Sequence, residues 1–187
     1  LVNHIDKLAL AKNARIFLPL CGKTLDFAYL QQLGYQTVGI ELSELPIIEL
    51  FEELNITPDI TTLGNFKRYY ANNIEIFVGD FFELTAEVLG DVDAIYDRAS
   101  LIALPLETRL LYTKHLTTIT DTAPQLLVCV EYDQAGLNGP PFSISTKEVQ
   151  QHYDDFYNID CVERNEIEGG LKKKIAAEES AWILSVK

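Results

Sequence analysis

Short apolar runs alternate along this chain with stretches whose apolar residues recur every three or four positions. Residues 15–20 (RIFLPL) form a compact apolar run closed by Cys-Gly, the pattern of a buried strand. In residues 24–33, Leu25, Ala28, Tyr29 and Leu33 fall at helical spacing, and Gly34 is placed to stop that helix. Residues 36–41 (QTVGIE) read as a strand. Ser43 is then placed to cap a helix through Ile47, Ile48, Phe51 and Leu54, with Glu44 and Pro46 in its first turn. Residues 66–70 and 74–78 flank Asn72-Asn73, a hairpin signature. A strand at 92–96 ends at Asp97, a helix is predicted over 106–119, and 125–132 (QLLVCVEY) is strand. A glycine- and proline-bearing loop follows at 134–146, then a helix at 147–155 and late strands near 157–166 and 175–186. Strands alternating with helices predict an α/β fold, a mostly parallel sheet with helices on both faces, built as a single domain over residues 1–187.

Charge and composition narrow the function classes. Fifteen basic against twenty-eight acidic residues leave a net charge of −13, which repels phosphate backbones and anionic lipids. Nucleic acid and membrane surfaces are therefore not expected as partners, and no apolar run approaches the length of a membrane span. Three widely spaced cysteines, Cys21, Cys129 and Cys161, fit a reducing compartment, so a cytoplasmic protein without disulfides or a metal site is expected. His4, His115 and His152 stand apart in the sequence, without the spacing of a metal site or catalytic dyad. Acidity with scattered surface apolar residues makes a monomer the expectation. The chain starts at Leu1 and contains no methionine, so N-terminal sequence is expected to precede it.

The run LPLCGKTLD contains Gly22-Lys23-Thr24, the tail of a triphosphate-binding loop. That loop needs a glycine five positions before its second one, where this chain has Phe17, and Pro19 removes an amide the phosphate wrap would use. A different ligand belongs there. In an open parallel sheet, ligands sit beyond the carboxyl ends of the strands where strand order reverses. Those ends carry Leu20-Cys21-Gly22, then Glu41, then Gly79-Asp80-Phe81, then Asp97-Arg98. Gly22 permits close approach, and a carboxylate at Glu41 can accept from both ribose hydroxyls. Asp80 and Phe81 offer an edge and a face to adenine. With no G-x-G-x-x-G turn for a pyrophosphate, the pattern describes an adenosine-type ligand such as S-adenosylmethionine.

Plainer readings exist for each residue. Glu41 is also a helix N-terminal charge beside Ser43, and Asp80 a turn cap. Cys21 is also a small core residue and Lys23 a solvated side chain, while Arg98 could pair with the acid before it.

Several segments carry a more specific signal. RIFLPLCGKTLDFAYLQQLGYQTVGIELSE at 15–44, DAIYDRASLIALP at 93–105 and LLVCVEYDQAGLNGPPFSIS at 126–145 occur in this order. Through PLCGK, VGIELSE, DRAS followed by IALP, and GPPF, the sequence resembles the thiopurine S-methyltransferases. The resemblance implies a class I methyltransferase (Rossmann-like) fold with a seven-stranded sheet whose last strand is antiparallel. It implies S-adenosyl-L-methionine as methyl donor, S-adenosyl-L-homocysteine as product and no metal. The implied acceptor is the sulfur, selenium or tellurium of a small, aromatic or heterocyclic compound.

Carried onto this chain, Leu20 and Gly22 line the methionine portion, Glu41 holds the ribose, and Asp80 and Phe81 meet the adenine. Arg98 lies near donor and acceptor and orients the acceptor as its anion. Pro140, Pro141 and Phe142 wall the acceptor pocket. The family's aromatic N-terminal segment has no counterpart before Leu1, and lysines stand between Gly169 and Lys174 where a second acceptor-side arginine is expected. Two other classes fit the same strand ends: an inactive adenosine-type binding module acting as sensor or partner, and a nicotinamide-dependent oxidoreductase.

Overall fold

Apolar residues at successive positions of the central strands require cover on both sides, and that sets the architecture. In the computed structural model, which describes residues 1–187, the strands are β1 (Arg15–Leu18), β2 (Gln36–Glu41), β3 (Asp59–Leu63), β4 (Phe66–Ala71), β5 (Ile74–Val78), β6 (Ala94–Arg98), β7 (Gln125–Tyr132), β8 (Tyr157–Glu166) and β9 (Ala177–Val186). The helices are α1 (Asp26–Gln32), α2 (Glu44–Glu53), α3 (Ala86–Leu89), α4 (Leu106–Ile119) and α5 (Thr146–Tyr153). None is long and apolar enough to cross a membrane.

The strands form one sheet in the order β3-β4-β5-β2-β1-β6-β7-β9-β8. Its centre, from β5 to β7, is parallel. At one end β9 runs antiparallel to β7, and β8 antiparallel to β9. The expected parallel sheet with an antiparallel last strand is present, but the count of seven is corrected to nine, because β3 and β4 extend the far edge in antiparallel pairing. All five residues of β3 are exposed, so backbone pairing with β4 holds it and no apolar alternation marks it in the sequence.

β1 shows how the layers form. Ile16 and Leu18 pack with Phe27 and Leu30 of α1 and Ile47 and Leu50 of α2. Phe17, pointing the other way, packs with Tyr112 and Leu116 of α4 and Val149 and Tyr153 of α5. Fully burying such side chains is worth about 1.5–3 kcal/mol each. The hairpin between β4 and β5 turns on Asn72 and Asn73 at φ 50° and 63°, the left-handed pair that a two-residue turn demands. Ser43 is extended and makes no side-chain cap, contrary to expectation. Its amide instead donates to the Glu41 carboxylate at 3.0 Å.

Gly39 lets α1 lie close on β2. A Cβ there would stand 2.7 Å from Phe27 Cζ and 2.9 Å from Cys21 Sγ, and Phe27 is fully buried with nowhere to retreat. Gly39→Ala is therefore expected to destabilise the chain by about 1–3 kcal/mol, seen as a lower urea midpoint with an unchanged slope.

Candidate functional site

Strand order reverses between β1 and β6: the chain leaves β1 for β2 on one side and returns to lay β6 on the other. The segments after these two strands therefore part and leave a crevice. Pro19 follows β1, and Leu20 then takes φ 43° and Gly22 φ 52°. For Leu20 this left-handed backbone costs about 1–2 kcal/mol. Across the crevice Ala99 sits at φ 71°, so unfavourable backbone stands on both walls, as it does at binding sites. The walls are tied together. Ser100, fully buried, donates its Oγ to the Pro19 carbonyl at 2.7 Å.

Beneath Arg98, Asp97 holds the second wall in place. It is fully buried, accepts from the Tyr112 hydroxyl at 2.7 Å, and accepts from the Leu101 amide at 3.4 Å. Burial pushes its carboxyl up to about 6, against the lowering effect of those hydrogen bonds. Arg98 does not pair with Asp97. Strand alternation sends it outward, where its Nη1 meets Asp26 Oδ2 of α1 at 3.3 Å.

A cavity of about 330 Å³ opens here, lined among others by Leu20, Gly22, Asp26, Tyr96, Arg98 and Ala99. A second, of about 220 Å³, shares Asp26, Tyr96 and Arg98 with it and reaches Val128 of β7 and Glu179 of β9. Glu41 at the end of β2 adjoins the first through Gly22, whose amide donates to Glu41 Oε2 at 3.0 Å. With Oε1 on the Ser43 amide, each carboxylate oxygen holds one backbone donor and keeps a further lone pair. A Cβ at Gly22 would meet nothing within 4 Å, so this turn borders open space.

Next in the sheet, the Gly79 amide donates to the Glu41 carbonyl, which brings the end of β5 beside Glu41. There Asp80 accepts from the Phe82 amide at 2.9 Å, the turn-capping arrangement. Phe81 is buried, with its ring 4.9 Å from that of Tyr112 and 5.1 Å from His115. The exposed ring is Phe82. His115 donates to the carbonyls of Phe81 and Leu84 and so fixes this turn.

A profile of the family "Thiopurine S-methyltransferase (TPMT)" matches residues 1–184. A thiopurine S-methyltransferase of Xanthobacter autotrophicus is 47% identical over 184 residues, covering 98% of this chain and 86% of that protein. One from Teredinibacter turnerae is 47% identical over 185 residues, covering 99% of this chain and 86% of its own length. The chain belongs to the thiopurine S-methyltransferase family. Among solved structures, a SAM-dependent methyltransferase from Methanosarcina mazei superposes with a TM-score of 0.70 at 14% identity, covering 98% of this chain and 97% of its own. TehB from Haemophilus influenzae gives 0.66 at 17% identity, with 100% of this chain and 62% of its own covered. At such identities the likeness is one of fold, the class I methyltransferase fold.

The thiopurine S-methyltransferase segments thus meet at one place: PLCGK, VGIELSE and DRAS supply Leu20, Gly22, Glu41 and Arg98 around the crevice. GPPF lies elsewhere. Pro140, Pro141 and Phe142 line neither of the two cavities. Phe142 instead faces the Arg109 guanidinium at 5.6 Å, and its amide donates to the Ile102 carbonyl. The lysines that follow Gly170 separate in role. Lys172 donates to the Pro140 carbonyl at 2.9 Å, while Lys173 and Lys174 border a cavity of about 640 Å³ with Glu131, Glu166 and Glu178.

Other residues take the plainer roles. Lys23 pairs with Glu49 and Glu53 on α2. Burial, and after it the Glu41 carboxylate, push the Cys21 thiol up, away from a reactive thiolate. His4 and His152, isolated in the sequence, meet Glu163 and Glu148 in space. Sequence reasoning missed Asp26, Tyr96 and Ser100. Nothing local marks them, since each acquires its place only when β1 and β6 become neighbours.

Proposed function

We propose that this chain transfers a methyl group from S-adenosylmethionine to the sulfur of a small aromatic or heterocyclic thiol, with selenium and tellurium compounds in the same acceptor class. The observation that carries this is the crevice between β1 and β6, bordered by Glu41 on one side and Arg98 on the other. The fit to the donor rests on the same features. Glu41 is already held by two amides with lone pairs to spare, and Gly22 faces space. Gly22 and Leu20 would border the methionine portion, Glu41 the ribose, and the turn at Asp80 the adenine, with Phe82 supplying the available aromatic face. The 47% identical relatives named for this S-methylation support the acceptor class.

When bound, the donor supplies a methyl group on a positively charged sulfur, ready for in-line displacement. The chain's task is to align the acceptor behind that carbon and keep water out. Arg98 lies on the wall common to both cavities, so with the donor in one and the acceptor in the other its guanidinium would face both. Its five donors suffice for both. A thiol that enters as thiolate has no proton to give up, so no base is required.

Incubation with S-adenosylmethionine and an aromatic thiol, followed by mass spectrometry, should yield the methyl thioether and S-adenosylhomocysteine in equal amounts. Binding of the donor without transfer to any thiol, selenol or tellurite would overturn the reading. Arg98→Ala is expected to lower kcat/KM about 10- to 100-fold across thiols, the range for losing one or two charge-assisted hydrogen bonds. Unchanged kinetics would remove Arg98 from the site.

A further inference from the structure

Tyr96 is 2% exposed, and its hydroxyl makes no well-formed hydrogen bond although it lies beside the Asp26 carboxylate and the Arg98 guanidinium. A buried hydroxyl left without a well-formed hydrogen bond is costly, so it calls for an explanation. Its position supplies one. Tyr96 lines both cavities, and in both it is accompanied by Asp26 and Arg98. The Tyr153 hydroxyl and the Gln125 side chain are also unmatched, but they neighbour each other and line neither cavity.

The three side chains at the shared wall have complementary chemistry. Arg98 and Asp26 form a pair at 3.3 Å, with the arginine side chain 55% exposed. With the arginine side open to solvent and the contact long, and Asp26 itself only 19% exposed, the pair can exchange for better partners when a ligand enters. A cation and an anion held side by side match a group that carries a carboxylate and an ammonium on one carbon, the α-amino acid end of a ligand. We infer that Tyr96, with Asp26, reads the α-amino acid end of the methyl donor. The Tyr96 hydroxyl donates to the carboxylate that Arg98 faces, and Asp26 turns from Arg98 to the ammonium. Burial, with the nearby Asp26 carboxylate, keeps the phenol protonated and hence a donor.

This deepens the donor reading above and rests on it, so the test separates the two. S-adenosylhomocysteine carries the amino acid end and 5′-methylthioadenosine lacks it. Both are titrated calorimetrically into the wild-type chain, Tyr96→Phe and Asp26→Asn. Tyr96→Phe should weaken S-adenosylhomocysteine about tenfold, the loss expected for one hydrogen bond to a charged group, and leave 5′-methylthioadenosine within about twofold. Asp26→Asn should show the same selectivity. Because the phenylalanine removes a hydroxyl that makes no well-formed hydrogen bond, the melting temperature should fall little if at all. Equal losses for both compounds, or no loss for either, would overturn the role of Tyr96 while leaving the donor reading standing. A wild-type chain that binds neither compound would overturn both.

Discussion

Glu41→Ala should reduce affinity for S-adenosylhomocysteine by about a hundredfold or more, the largest binding loss expected for any single change in the crevice. The Glu41 carboxylate has two jobs. It accepts from the Gly22 and Ser43 amides, each at 3.0 Å, and so holds the turn after β1 against the start of α2. Its remaining lone pairs are free for the ribose hydroxyls. Two hydrogen bonds to a charged acceptor are together worth roughly 3 kcal/mol or more, which is two decades in affinity. Alanine also releases Gly22 into a turn where φ is positive, so the loop must be re-ordered at binding. Glu41→Gln keeps one acceptor oxygen and the side-chain length, and an intermediate loss is expected. Calorimetry measures both. A change under about threefold for alanine would mean that the acid serves only as a helix N-terminal charge.

Asp97→Asn has the largest expected effect on stability, and it depends on pH. Folding pushes this buried carboxyl up to about 6 from 3.8. The folded chain therefore holds a proton that the unfolded chain has already released at intermediate pH. The stability this group contributes is lost as pH rises from about 4 to 6, after which its loss is constant. At roughly 1.4 kcal/mol per pH unit, the total is about 3 kcal/mol. Asparagine cannot ionise, yet it can still accept from the Leu101 amide and donate to the Tyr112 oxygen. The stability of the variant relative to wild type should accordingly grow by about 2–3 kcal/mol between pH 4 and pH 7. Urea unfolding at a series of pH values reads this difference directly, because other carboxylates cancel. A difference that stays flat would mean that Asp97 ionises in the folded state as easily as in the unfolded one.

These two acids also show which parts of the molecule were legible in its sequence. Glu41 stands at a strand end, and strand ends can be read from apolar periodicity. The same periodicity delimits α4 at 106–119 and β7 at 125–132, where long regular patterns leave little ambiguity. β3 escaped because every one of its residues is exposed, so no burial pattern was there to read. The adjacent rings of Phe81 and Phe82 look equivalent on paper. The turn capped by Asp80 and gripped by His115 determines that Phe81 goes inward and Phe82 outward.

Arg98 raised a similar difficulty. Its neighbour Asp97 was the obvious ionic partner, but alternation along β6 sends the two in opposite directions, and Asp26 of α1 meets the guanidinium instead. The crevice was therefore locatable from strand ends alone. The partners of its side chains were not, since they depend on α1 and β6 lying side by side. Tyr96 is the extreme case. As the middle of an apolar strand it reads as core, and only its unmatched hydroxyl at a cavity wall marks it out.

The central claim is that the crevice between β1 and β6 holds the methyl donor with its sugar on Glu41. A crystal structure of the chain with S-adenosylhomocysteine tests this most directly. The account predicts ribose hydroxyls within hydrogen-bonding distance of the Glu41 carboxylate and the amino acid end beside Arg98. Density for the compound elsewhere, for instance in the cavity bordered by Lys173 and Lys174, with Glu41 still holding only its two amides, would contradict it.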